Sequence, residues 1–97
     1  MFIVFLRFSA NKAAAGDHMA GHKAWLKQGF DDGLFLVAGS LEPGQGGGVV
    51  ATGTREAVEA HVATDPFVVE DVVTAEIHEM SPAFADERLN FLLPEKD

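Results

Sequence analysis

The stretch AGHKAWLKQGFDDGLFLVAGS, residues 20–40, changes its hydrophobic period halfway along. Met19, His22, Trp25 or Leu26, Gly29 and Phe30 recur at spacings of three and four, which predicts an amphipathic helix from about Asp17 to Asp31. Asp17 suits the N-cap or the first turn, and the Asp-Asp-Gly ending at Gly33 suits a helix stop. LFLVAGSL, 34–41, then reads as a strand with little alternation, so both of its faces should be covered. His22 falls on the apolar stripe of the helix, where a histidine either packs or carries chemistry.

Upstream, FIVFLRF, 2–8, is apolar except for Arg7 and predicts a strand of about 23 Å at about 3.3 Å per residue. Phe2, Val4, Leu6 and Phe8 share one face, and Ile3 and Phe5 the other. SANKAAAGD, 9–17, is a loop running into the helix. Downstream, EPGQGGG, 42–48, reads as a loop by its glycines and VVAT, 49–52, as a short third strand. Thr54 can cap a helix over REAVEAHVAT whose apolar side is Ala57, Val58, His61 and Val62. In VVTAEIHEM, 72–80, Val73, Ala75 and Ile77 alternate with Thr74, Glu76 and His78, a strand with one polar face.

The resulting order, β-α-β-β-α-β, predicts an α+β, ferredoxin-like fold with a four-stranded antiparallel sheet. Two helices cover only one face of such a sheet. Because the first two strands look apolar on both faces, a second copy of the chain is expected to cover the other, giving a homodimer. The C-terminal extension, 81–97, carries Leu89, Phe91, Leu92 and Leu93 and is expected to dock on the domain or on a neighbouring subunit.

The 97 residues predict a single domain, 1–97, and a chain of that size buries about 60–65% of its unfolded surface. Fifteen acidic and seven basic residues give a net charge of −8, which repels phosphate backbones and anionic headgroups and argues against nucleic acid or membrane as partners. No apolar run reaches the roughly 20 residues of a membrane span. The N-terminal MFIVFLRFSANKAAAG lacks the basic start of a signal peptide, so the expected location is the cytoplasm. With no cysteine, thiolate nucleophiles and cysteine-ligated metal centres are excluded. Chemistry falls to His, carboxylates, hydroxyls or backbone.

His18 and His22, four apart, share a helix face that could chelate a metal. However, HMAGH lacks the glutamate of zinc proteases, and spacing places no third ligand, so no metal site is assigned. The glycines of GQGGG precede a strand, whereas a phosphate loop opens a helix. Lys23 and Lys27 read as solvated. Arg7, on an otherwise apolar strand, is a candidate pocket residue able to attract an anion.

His22, the later Gly33, Ala38 and Gly39, and then Asp65, Pro66 and Phe67 together resemble the YciI-like family, in the dimeric α+β barrel superfamily. Members carry a helical His upstream of a Gly-x-Leu-x-x-Ala-Gly segment and a later Asp-Pro-aromatic. Phe35 stands where the family more often has leucine, and Ser40 where many relatives have proline, at the rim of the implied pocket. The resemblance runs from the first strand to about Met80. It implies a dimeric barrel and a His-Asp pair, His22 and Asp65, as candidate catalytic residues; Arg7, from its place on the first strand, and Ser40, at the pocket rim, are the candidate substrate-binding residues. Some members act on chlorinated aromatic compounds by elimination. That implies a lyase or isomerase acting on a small molecule with no bound cofactor.

In such a pair the carboxylate accepts a hydrogen bond from one ring nitrogen and fixes the tautomer, leaving the other nitrogen to move a proton. The residues also admit a structural reading. His22 lies on a core stripe, and Asp65 before Pro66 is a common helix N-cap with proline in the first helical position. A non-catalytic dimer that binds a small ligand, or serves as an accessory module, is the alternative.

Overall fold

In the computed structural model, which describes residues 1–94, the chain runs β1 (Phe2–Phe8), α1 (Ala15–Asp31), β2 (Phe35–Leu41), β3 (Gly46–Ala51), α2 (Arg55–Val62), α3 (Pro66–Val69) and β4 (Val73–Glu79). Short 3-10 turns occupy Lys12–Ala14 and Glu87–Leu92. The four strands form one antiparallel sheet in the order β2-β3-β1-β4. This is the ferredoxin-like α+β arrangement expected from the element order.

Helix α1 ends where its sequence says it must. Gly33 adopts φ +75°, a backbone region that side chains disfavour, and its N–H bonds back to the Phe30 carbonyl while that of Leu34 bonds to Gly29. Helix α2 begins at Thr54, whose hydroxyl accepts from the Ala57 N–H at 3.1 Å. Phe2, Val4 and Leu6 of β1 pack with Phe35, Val49, Ala51 and Val73 beneath Trp25, Val58, Val62 and Phe67, forming the core between sheet and helices. A fully buried side chain of this kind contributes about 1.5–3 kcal/mol. At one point helix and sheet approach so closely that only glycine fits, since a Cβ on Gly29 would run into the Phe35 ring.

One expectation needs correction. The glycines 46–48 are strand, not loop: Gly46, Gly47 and Gly48 pair with Arg7, Leu6 and Phe5 on one side and with Leu41, Ser40 and Gly39 on the other. Backbone pairing on both sides outweighs the low strand preference of glycine. Gly46 is demanded there, because at φ +127° a Cβ would collide with the Leu6 carbonyl.

The cover expected from a second copy would fall on the outer face of the sheet. Within one chain β2 is an edge strand and mostly exposed, with Val37 57% accessible. The outer sheet face carries Ile3, Phe5, Val37, Leu41 and Val50 beside a polar strip from β4. On that strip Glu76 bonds Arg7 and His78, and these partners hold its carboxyl below the usual carboxylate range.

The tail is expected to dock on the domain or on a neighbouring subunit, and the single chain bears on the first of these. Residues 95–97 of the predicted extension lie outside the described residues. The described part does not dock on its own domain, as Phe84, Leu89 and Phe91 are 96%, 45% and 66% exposed.

Candidate active site

Asp65 is the N-cap of α3, with Pro66 in the first turn, and its Oδ1 accepts the Phe67 N–H at 3.0 Å. The same oxygen lies 2.8 Å from Nδ1 of His22 on α1. The cap thus doubles as the partner of the histidine. Gly21 makes this approach possible, since a Cβ there would stand only 3.0 Å from Pro66 Cγ. Any larger residue would push α3, and Asp65 with it, away from α1.

The pair is sheltered: the His22 side chain is 14% exposed and that of Asp65 fully buried. With Asp65 Oδ1 as the acceptor, Nδ1 carries the proton and Nε2 the lone pair. His22 stacks on Phe67 at 4.0 Å with the rings 4° from parallel, and Trp25 stacks behind it at 5.5 Å. Trp25 also stacks on His61, which bonds the Trp25 carbonyl through Nε2 while the indole N–H bonds the His61 carbonyl. His61, given no role by its sequence, therefore fastens α2 to α1. His22 is held flat by neighbours on two sides and by one hydrogen bond at its edge.

His22 borders a cleft of about 310 Å³ between α1 and the inner sheet face. Side-chain size explains the hollow. Across the inner face, Leu6 is paired through Gly47 to Ser40, and Val4 through Val49 to Ala38, so bulk falls away toward the β2 edge. His22 lines the cleft and Asp65 does not, so the histidine is the member of the pair that a ligand in the cleft would meet.

Of the residues picked out by sequence, His22, Asp65 and Ser40 converge here, the first and last on the wall and Asp65 behind it. Arg7 does not. Strand alternation places it with Ile3 and Phe5 on the outer face, where it bonds Glu76 at 3.0 Å, so the expectation that it lines this pocket is corrected. Lys23 is exposed, as the sequence reads it, and also borders the cleft. The signal was available in the spacing, because Met19, His22 or Lys23, and Leu26 form one helical stripe and all border the cleft. His18 does not join His22 on the wall, and no three His, Asp or Glu side chains cluster as metal ligands among the described residues.

No family profile and no curated protein matches the chain. A solved structure does: 5-chloro-2-hydroxyhydroquinone dehydrochlorinase (TftG) from Burkholderia phenoliruptrix AC1100, in complex with 2,5-dihydroxybenzoquinone. The two are 16% identical, with a TM-score of 0.67 over 82% of this chain and 93% of that one. At this distance the likeness establishes a shared fold, so the chain is similar in architecture to a dehydrochlorinase.

Proposed function

We propose that the protein is a small-molecule enzyme of lyase or isomerase type, working as a homodimer, in which His22 moves a proton and Asp65 orients it. The observation that carries this reading is the 2.8 Å His22–Asp65 bond set behind the wall of an accessible cleft. Nε2 takes a proton from a substrate carbon or hydroxyl. The electron pair left behind either expels a leaving group with formation of a double bond, as in elimination, or takes a proton back at another atom, as in isomerisation. Asp65 holds the ring in one tautomer throughout and balances the charge of the imidazolium. The dehydrochlorinase activity of the structural neighbour supports elimination as the reaction class. The apolar outer sheet face supports the dimer, because an unpaired apolar sheet face seeks cover.

The second reading, a non-catalytic ligand-binding or accessory module, is favoured by a different observation. Stacking against Phe67 and Trp25 gives His22 a packing role, and capping of α3 gives Asp65 a structural one. His22→Gln separates the two. Under the enzymatic reading it folds and loses about 10²–10⁴-fold in turnover on a panel of phenolic and lactone substrates. Under the second, the parent turns over none of the panel and the variant only melts at a lower temperature.

A further inference from the structure

The chain has 15 acidic residues and a net charge of −8, yet among the described residues no Asp or Glu lines the cleft. The charged side chain that does line it is Lys23. Among the described residues every arginine pairs with a carboxylate, Arg7 with Glu76, Arg55 with Glu59 and Glu79, and Arg88 with Asp86, and Lys27 pairs with Asp31. Lys23 forms no such pair among them. Lys12 also rests without a carboxylate, its ammonium 4.7 Å above the ring of Phe8, and Phe8 is itself a wall of the cleft. In a molecule with a surplus of acid, a cation left without an acidic partner among the described residues on the cleft wall, Lys23, favours an anion there.

The shape of the site narrows the ligand further. A cleft of about 310 Å³ lies at the lower end of the roughly 300–1,000 Å³ range of small-molecule sites. Leu6, Leu26, Val49 and Phe67 supply apolar walls, and Gly47 on the floor leaves room that any side chain would take. We propose that the cleft selects a flat, single-ring organic anion, carboxylate or phenolate, with its charged group at Lys23 and its ring between α1 and the glycine floor. This rests on the reading of the cleft as the ligand site and names the class of ligand. A charge-assisted bond to an ammonium is stronger than one between neutral partners, and the nearest carboxylate described at the site, Asp65, stands behind His22 and is engaged by it rather than on the cleft wall.

Trp25, the single tryptophan, stacks on His22 and reports on the cleft by its own fluorescence. The test titrates the full chain at low salt with benzoate and with benzamide, a neutral molecule of the same shape, by Trp25 fluorescence and by calorimetry. Benzoate is expected to bind about three- to tenfold more tightly, a preference that narrows as salt rises. Lys23→Gln should erase the preference without lowering the melting temperature, Lys27→Gln should leave it intact, and Gly47→Val should abolish binding of both compounds. Equal or tighter binding of benzamide, no binding of benzoate, or a preference that survives Lys23→Gln would overturn the proposal. Benzoate needs no turnover, so the outcomes remain separable. Anion preference in a protein that turns over none of the substrate panel would sink the proton-transfer reading alone, and turnover confined to neutral substrates would sink this one alone.

Discussion

Asp65 serves two neighbours through one oxygen. Its Oδ1 takes the His22 ring N–H and the Phe67 backbone N–H, while Oδ2, also buried, has no hydrogen-bond partner among the described residues. A carboxylate in this position is held by the groups it organises, and its loss is felt by both. Asp65→Ala removes a helix cap and the partner of a sheltered histidine, and should lower unfolding free energy by about 1–3 kcal/mol. Because the two residues share a bond, a double-mutant cycle with His22→Ala should show coupling of about 0.5–3 kcal/mol in chemical denaturation. Additive losses would mean that the bond carries no weight in solution. The sequence made both members visible, Asp65 through the proline that follows it and His22 through its place on the stripe. Helix periodicity alone does not bring them together, as their contact depends on Gly21 admitting Pro66.

Elements show where legibility stops. The helix stop at Gly33 and the Thr54 cap could be read directly because each is a local hydrogen-bond device carried by one residue type. The glycines at 46–48 could not, because glycine looks the same in a loop and in a strand. What decides for strand is the Leu6 backbone pressed against Gly46, a neighbour forty residues away in sequence. The side of the sheet taken by Arg7 was hidden for a related reason. Alternation groups it with Ile3 and Phe5, but both faces of β1 are apolar enough to be the core, and only the helices choose between them. Gly29 offers a test at this scale. Gly29→Ala adds a methyl group where the Phe35 ring already sits, and although alanine favours helix, the collision should destabilise the fold by about 1–3 kcal/mol in thermal unfolding. An unchanged or raised melting temperature would show that α1 and β2 can separate freely.

For the whole molecule the open question is what meets the outer sheet face. Ile3, Phe5, Val37 and Val50 form its apolar part, and a charge set among them should disfavour a second copy. Val37→Lys, far from the inner core, is expected to shift sedimentation from dimer toward monomer while leaving the far-ultraviolet spectrum unchanged. A parent chain that sediments as a monomer at all concentrations would remove the dimer from the proposal. The extents of the chain, 50 × 26 × 19 Å, are drawn out for a protein of its length, and the segment after β4 buries none of the residues in its 3-10 turn. Such an arm is open to protease cleavage near Phe84 and Phe91 for as long as nothing lies over it. If copies associate there, digestion of the arm should slow as protein concentration rises while cleavage elsewhere keeps its pace, so the rate at which the terminus is trimmed reads out assembly.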